Sequence, residues 1–224
     1  MESHLQGLPH ILPIFPLDGA LLLPSGNLPL NVFEPRYIAL IDHALQSEHR
    51  MIGMVQTAAV LDDSEFFPAL NHKDPALSLI GCAGRITVFN EISRDRYQII
   101  LSGLHRFKIK SECPTKYDFR LIMPDWEAFE ADHESDQMMD VERKQLLRTF
   151  REYLYAHDLD TDWEGVDEAD NETLVNMLCM MAPYGEKEKQ ALLEAKTLSE
   201  RAIMLIAITE RHLVQRETDN HRLQ

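Results

Sequence analysis

The chain has 224 residues, and its hydrophobic content of 45% and charged content of 26% are ordinary for a globular protein. Its 37 acidic and 22 basic side chains give a net charge of −15 at pH 7, which argues against nucleic acid as a partner, because phosphate binding depends on an excess of cations. No apolar run is long enough to span a membrane and the amino terminus lacks the pattern of a secretory signal, so we expect a cytoplasmic protein without a membrane segment.

Prolines interrupt the apolar runs at the start of the chain. Pro13, Pro16 and Pro29 have no N–H to donate, so they restrict these runs to strand starts, sheet edges or bulges. Pro35 has the opposite effect, because proline is well tolerated in the first turn of a helix. Apolar side chains then recur at helical spacing, namely Tyr37, Ile38, Ile41 and Leu45. The first fifty residues therefore predict the order strand, loop, strand, helix.

Further strands are predicted between residues 51 and 123. A short apolar strand covers 51–57, and a long loop rich in turn formers follows over 58–76, where the pair Phe66-Phe67 is predicted to hold the loop on the core. Beyond the loop, apolar and polar residues alternate, with a hairpin turn at 93–96 and a returning strand over 97–101.

A separate strand is predicted around Phe107 and Ile109. Here His105 is interpreted as a turn residue at the strand start, and the alternation places the cations on the solvent side: Arg106, Lys108 and Lys110. Several strands with short connections and one early helix predict an antiparallel, barrel-like module.

The periodicity becomes helical from about residue 137. Later helices are predicted at about 172–181 and 186–195, and a last one starts at a capping box in 197–200. Residues 158–170 are interpreted as an acidic connector anchored by Trp163. Residues 125–172 contain 17 acidic and 4 basic side chains, so nearly all of the net charge lies where the strands end.

Several motifs in the first half resemble the Lon substrate-binding domain, the N-terminal module of the ATP-dependent Lon proteases. They are the opening Leu12-Pro13-Ile14-Phe15-Pro16-Leu17, the run from Leu28 to Tyr37, the strand from Met51 to Val55, Gly81 to Ile86, and Ser102 to Ile109. The helical remainder is similar to the tail of stand-alone Lon-domain proteins of bacterial type. The resemblance implies an α+β fold, in which a PUA-like antiparallel β-barrel with an inserted helix is followed by a C-terminal helical bundle. We expect the β domain at 1–125, an acidic linker at 126–136 and the bundle at 137–218.

Motifs for catalysis or cofactor binding are missing from the sequence. It contains no phosphate-binding P-loop, no G-x-S-x-G nucleophile elbow and no H-E-x-x-H zinc motif. Asp158, Asp160 and Asp162 have the spacing that opens an EF-hand loop, but Trp163 and Ala169 stand where that loop needs glycine and glutamate. The three cysteines show no C-x-x-C spacing, so we expect reduced thiols. We therefore predict neither cofactor nor metal, and no enzyme, since neither an ATPase nor a Ser–Lys peptidase module is present.

The resemblance implies a non-catalytic module that binds unfolded or degron-bearing polypeptides, with a role as an adaptor that feeds substrates to a protease. An exposed proline-rich edge and an apolar groove between barrel and bundle would take up an extended peptide. The predicted contacts are Phe15, Phe33, Tyr37, Phe66 and Phe67. Two alternatives stay open, an enzyme of undescribed type that uses the barrel–helix cleft and a weak nucleic-acid binder by analogy with RNA-binding PUA domains. The oligomeric state is left open.

Overall fold

All of the described strands but β8 begin in the first half of the chain, and all of the described helices but α1 lie in the second half. The computed structural model describes residues 7–58, 66–67, 74–129, 140–157 and 163–222. The strands are β1 (Leu12–Pro16), β2 (Asn27–Val32), β3 (Met51–Val55), β4 (Phe66–Phe67), β5 (Leu77–Ser78), β6 (Ile80–Ser93), β7 (Arg96–Cys113) and β8 (Arg120–Asp125). The helices are α1 (Pro35–Gln46), α2 (Asp140–Ala156), α3 (Trp163–Glu168), α4 (Asn171–Met181), α5 (Glu186–Glu194) and α6 (Leu198–Arg222).

Six strands form one mixed sheet in the order β2-β7-β6-β3-β1-β8. Because β8 also pairs with β7, the five strands β7, β6, β3, β1 and β8 form a closed ring. Strand β2 lies outside this ring and pairs with β7. The α+β class is confirmed, but the sheet is not purely antiparallel, since β1 and β3 run parallel with Ile14 opposite Gly53. The chain passes from β1 through β2 and then α1, which packs on β1 and β3, before it enters β3.

Strands β6 and β7 are much longer than the sequence predicts. The hairpin turn predicted at 93–96 is confirmed, but β7 joins in one strand the two segments that were predicted as separate. Register shifts interrupt the β6–β7 pairing at Ala83/Gly84 and at Ile86/Val88. Such irregularities bend a strand and raise its local twist, which lets two long strands follow the curved sheet.

Helix α6 is the centre of the bundle, and α2, α4 and α5 pack against it. The start of α1 at Pro35 is confirmed. The acidic connector predicted at 158–170 is wrong in part, because its residues 163–168 form α3, while 158–162 lie outside the described residues. Arg143 explains why this short helix is stable: its guanidinium donates to the carbonyl oxygens of Val166, Asp167 and Ala169 at the helix end.

One apolar core runs from the sheet into the bundle. It combines strand and loop residues such as Leu22 and Leu101 with helix residues such as Leu178 and Leu205, all buried. A smaller second core lies within the sheet around Leu12, Phe107 and Ile122. The division into 1–125, 126–136 and 137–218 stays a prediction, and residues 130–136 of the expected linker lie outside the described part of the chain.

Candidate functional site

Phe15 and Tyr37, two of the predicted contacts, form a stacked pair in the core. Their ring centroids lie 4.0 Å apart with an interplanar angle of 13°, and each residue is only 6% exposed. The Tyr37 hydroxyl donates to the carbonyl oxygen of Pro16 at 3.2 Å, and burial raises the pKa of this phenol. The pair holds α1 against β1, so it leaves little ring surface for a ligand.

The other three predicted contacts lie in two places. Phe67 pairs with Leu77 and packs half-buried against the second core, in agreement with the predicted tether of this loop. The side chain of Phe66 lies outside the described residues. Phe33 follows β2 directly and is 65% exposed. Among the predicted contacts with a described side chain, Phe33 is therefore the one on the surface.

Phe33 lies at one end of a three-stranded ribbon formed by β2, β7 and the hairpin half of β6. The inner face of the ribbon carries the buried side chains of Tyr97, Ile99 and Leu101. We call the opposite side of these three strands the outer face. Phe33 belongs to it by the alternation of β2, since Val32 before it is buried.

The outer face carries one apolar row between two polar rows. Residues paired across antiparallel strands point to the same side, so the register assigns the rows directly. The apolar row consists of Pro29, Ile100 and Val88; one polar row consists of Asn27, Ser102 and Arg85, and the other of Asn31, Gln98 and Asn90. Hydrogen bonds order the polar rows: Ser102 Oγ donates to Asn27 Oδ1 at 2.6 Å, and Gln98 Nε2 donates to Asn31 Oδ1 at 3.1 Å.

The local sequence explains why this apolar row faces solvent. Among the described strands, β2 pairs only with β7, and Pro29 is tolerated there because an edge strand does not need every N–H. In β6 the register shift between Ile86 and Val88 inserts one residue into the alternation. Val88 is thereby paired with Ile100 on the outer face and is 40% exposed.

The tip of the β6–β7 hairpin adds further apolar surface. Ile92 is exposed, and the ring of Phe89 is partly exposed while its edge contacts Tyr97, with centroids 4.9 Å apart. Tyr97 in turn donates from its hydroxyl to Asp42 Oδ1 on α1 at 3.1 Å, and partial burial together with this carboxylate raises the pKa of the phenol. The ribbon is thus fixed to α1 on its inner face, while its outer face stays accessible.

Sequence reasoning missed most of the outer face. The sequence predicts Pro29 at a strand start, a sheet edge or a bulge, and it predicts Val88 and Ile100 only as members of strands. The missing signal is the register shift at Thr87, which places Val88 on the outer face although Ile86, two residues before it, faces inward. Periodicity alone does not reveal such a shift, because it counts residues along one strand and not pairs across two.

The junction of barrel and bundle is filled by side chains, and Arg106 lies at its centre. The sequence predicts this residue on a solvent-facing strand, which is wrong: Arg106 is 2% exposed, whereas Lys108 and Lys110 are exposed. Its Nη1 donates to the carbonyl oxygens of Leu193 at 2.7 Å and Ala195 at 2.5 Å, and its guanidinium lies 4.4 Å from the ring centre of Phe129. His105, predicted as a turn residue, is also buried, inside β7.

Other polar side chains join the two halves around Arg106. Asn176 on α4 donates to the carbonyl oxygen of Pro24 at 2.9 Å, and Gln56 donates to Gln190 on α5 at 3.2 Å. Lys189 donates from Nζ to the carbonyl oxygen of Gly19 at 2.7 Å, and burial lowers the pKa of its amine. Hydrogen bonds and apolar packing thus occupy the place where the sequence predicts an open groove.

The chemistry of the described residues does not indicate a catalytic centre. Within the described ranges, histidines, cysteines and carboxylates form no group of three that could hold a metal ion. Burial raises the pKa of the Cys179 thiol to about 12, so this thiol stays protonated and is a poor nucleophile at neutral pH. Among the described helices, we find none with the length and apolar content needed to cross a membrane.

Comparison with known families gives one match over most of the chain. The profile of the family described as the ATP-dependent protease La (LON) substrate-binding domain matches residues 11–211. A Lon protease of Bacillus thuringiensis (strain Al Hakam) is 24% identical over 207 residues, which are 89% of this chain and 24% of that protein. A Lon protease of Anaeromyxobacter dehalogenans (strain 2CP-C) is 31% identical over 107 residues, which are 46% of this chain and 11% of that protein. The chain therefore spans about a quarter or less of these two relatives.

Two solved structures share the fold. The Lon N-terminal domain protein from Xanthomonas campestris superposes with a TM-score of 0.60 at 19% identity, covering 88% of this chain and 97% of that one. The N-terminal domain of a Lon protease from the Mycobacterium avium complex gives a TM-score of 0.59 at 17% identity, with 90% and 99% covered. The family match over residues 11–211 includes the barrel together with most of the bundle.

Proposed function

Because the chain belongs to the family of Lon substrate-binding domains, we propose that it is a non-catalytic module that binds unfolded or degron-bearing polypeptides through the outer face of its β2–β7–β6 ribbon. The family match supports a substrate-binding role and includes no catalytic domain. The exposed apolar residues of the outer face support the choice of this face as the binding site.

The observation that carries the proposal is the exposed apolar row beside an edge strand. Pro29, Ile100 and Val88 form a strip of uncharged surface, and Phe33 lies on the same face beyond the polar row of Asn31. Unfolded chains differ from folded ones mainly by exposing apolar side chains and unpaired backbone, so an apolar strip offers them a binding energy that folded proteins cannot use.

The edge strand β2 suggests how an extended segment would bind. A polypeptide that lies along this edge could pair with backbone groups of β2 that do not face β7, as in strand addition. One outward side chain of that segment would then lie beside Pro29 and extend the apolar row, while the amide of Asn31 would contact a polar group of the segment. Backbone pairing does not depend on sequence, which suits a module that accepts many substrates.

Surface plasmon resonance with an immobilised, reduced and carboxymethylated protein as a permanently unfolded probe tests the proposal. We expect binding by the full chain and roughly tenfold weaker binding by Phe33→Gln, which corresponds to about 1.4 kcal/mol. Met181→Gln is the matched control, because Met181 is 73% exposed on α4 and lies outside the ribbon. No binding by the full chain, or equal losses in both variants, would refute the proposed site.

Finer aspects of the proposal follow from the resemblance to Lon proteases. We place the protein in the cytoplasm, where it would act as an adaptor that delivers bound chains to a protease. Co-purification of a protease with the tagged protein, dependent on an added unfolded chain, is the result expected for an adaptor.

A further inference from the structure

Helix α2 presents a basic face on a protein of strongly negative net charge. Lys144, Arg148 and Arg151 recur at a spacing that places them on one side of the helix, and all three are exposed. The opposite side of α2 is buried against the core through Leu146, Thr149, Tyr153 and Leu154. The basic face is therefore the solvent side of a firmly packed helix.

These cations are not used for internal ion pairs in the described part of the chain. Arg143, on the same helix, shows the contrast, because its guanidinium donates to Asn171 and to carbonyls at the end of α3. For Lys144, Arg148 and Arg151, no described carboxylate lies within ion-pair distance. Arg151 is held in place by stacking on Trp163, with its guanidinium carbon 4.5 Å from the ring centre.

The basic face surrounds an apolar depression. A shallow depression of about 360 Å³ is lined by Leu147, by the cations Lys144, Arg148 and Arg151, and by Glu152. One turn further along the same side, Tyr155 is 88% exposed. Positive charges around an apolar floor, next to a free aromatic ring, match an amphipathic ligand that carries carboxylates beside an apolar side chain.

We propose that the basic face, defined as Lys144, Leu147, Arg148, Arg151 and Tyr155, is a second docking surface, which binds an acidic amphipathic segment of a partner protein. Carboxylates of that segment pair with the three cations, and one aliphatic or aromatic side chain enters the depression over Leu147. This surface lies on the bundle and is distinct from the ribbon proposed for unfolded chains. The protein would thereby contact a partner and a substrate at the same time.

Charge complementarity favours a polypeptide over a nucleic acid as the occupant. Three cations beside Glu152 provide too few phosphate contacts to hold a polyanion against a net charge of −15. The apolar floor also adds no binding free energy for a phosphate backbone, whereas burial of a leucine or phenylalanine side chain there favours binding.

Fluorescence anisotropy with the full chain tests this surface. The probe is a fluorescein-labelled amphipathic peptide of about three helical turns with glutamates on one side and leucine and phenylalanine on the other. We expect roughly tenfold weaker binding by the double variant Lys144→Gln/Arg148→Gln. Glutamine keeps the helix propensity of both positions, and circular dichroism checks the fold. Affinity should also fall between about 0.01 and 0.15 M salt, because the Debye length shortens from about 30 to 8 Å.

The matched control removes two exposed cations from the barrel, Arg94→Gln/Lys110→Gln, and should bind like the original chain. Equal losses in both double variants would mean that net charge alone attracts the peptide, and would overturn the proposal. So would unchanged binding in Lys144→Gln/Arg148→Gln, or tighter binding of a labelled single-stranded DNA than of the peptide.

Discussion

The Nη1 atom of Arg106 lies 2.7 Å from the carbonyl oxygen of Leu193, so a barrel side chain binds the last turn of a bundle helix. The same guanidinium reaches the carbonyl oxygens of Ala195 and Lys196 beyond that helix. A cation at a helix C-terminus also interacts favourably with the helix dipole, which adds to the hydrogen bonds.

Replacing Arg106 should therefore destabilise the whole fold. Arg106→Leu leaves buried carbonyl oxygens without donors, and we expect a loss of about 3 kcal/mol in the free energy of unfolding, measured by urea denaturation. Lys110→Leu, at an exposed position of the same strand, should change it by no more than about 0.5 kcal/mol. A loss below about 1 kcal/mol for Arg106→Leu would show that the junction tolerates the change.

Gly103 is required because two backbone segments approach closely. Its N–H donates to the carbonyl oxygen of Gly26 at 2.8 Å, and a Cβ at this position would overlap the carbonyl oxygen of Leu23. Gly103→Ala should cost about 3 kcal/mol or more, since backbone cannot move aside as a flexible side chain can. Gly185→Ala is the control, because the nearest atom to its added Cβ is 3.8 Å away, and thermal unfolding should show a much smaller change.

Asp170 should give the stability a dependence on acidic pH. It caps α4, with Oδ1 accepting from the Thr173 N–H at 2.8 Å and Oδ2 from the Thr173 hydroxyl at 2.7 Å, and these bonds lower the pKa of the carboxyl. A lowered folded-state pKa means that the contribution is complete above the unfolded value of about 3.9 and is lost as the pH falls through the folded value.

Asp170→Ala should accordingly cost about 1 kcal/mol near pH 7, and the difference from the original chain should shrink below about pH 4. Asp170→Asn keeps an acceptor at the N-cap and should be milder at neutral pH. Urea titrations at several pH values measure both effects. A constant difference across the acid range would contradict the role of the ionised carboxylate.

Val88→Lys tests the outer face independently of Phe33. A charge at the β6 end of the apolar row should weaken binding of the unfolded probe by roughly tenfold, because an apolar segment cannot solvate it. Ile203→Lys introduces the same charge at an exposed apolar position of α6 and should leave binding unchanged. Surface plasmon resonance compares the two variants, and equal effects would assign the loss to net charge.

Local rules predicted the elements that depend on neighbouring residues. The helix start at Pro35 and the hairpin turn at 93–96 follow from residues within one turn of each other, and both are confirmed. The parallel pairing of β1 with β3 was not predicted, because parallel and antiparallel neighbours differ in topology and not in the pattern of either strand.

Arg106 shows why contacts between distant parts of the chain could not be predicted from the sequence. The strand pattern around Phe107 and Ile109 is sound, but the partners of Arg106 lie 87 to 90 residues further along the chain. The alternation of apolar and polar residues predicts that Arg106 faces solvent. Its side chain is buried because the helical bundle packs over it. In the candidate surface, Phe33 was predicted, whereas Val88 depends on a register shift that no single strand reveals.

The long sequence separation between Arg106 and its acceptors also has a consequence for synthesis on the ribosome. At about 5–20 residues per second, the 87 residues between Arg106 and Leu193 take roughly 4–17 s to make. During this interval the nascent barrel lacks the carbonyl oxygens of Leu193, Ala195 and Lys196 that later accept from this guanidinium, and the apolar side chains that later meet α4 and α6 are uncovered. The nascent chain is for that time itself incompletely folded. The barrel and the bundle can pack together only after α4, α5 and α6 have left the exit tunnel.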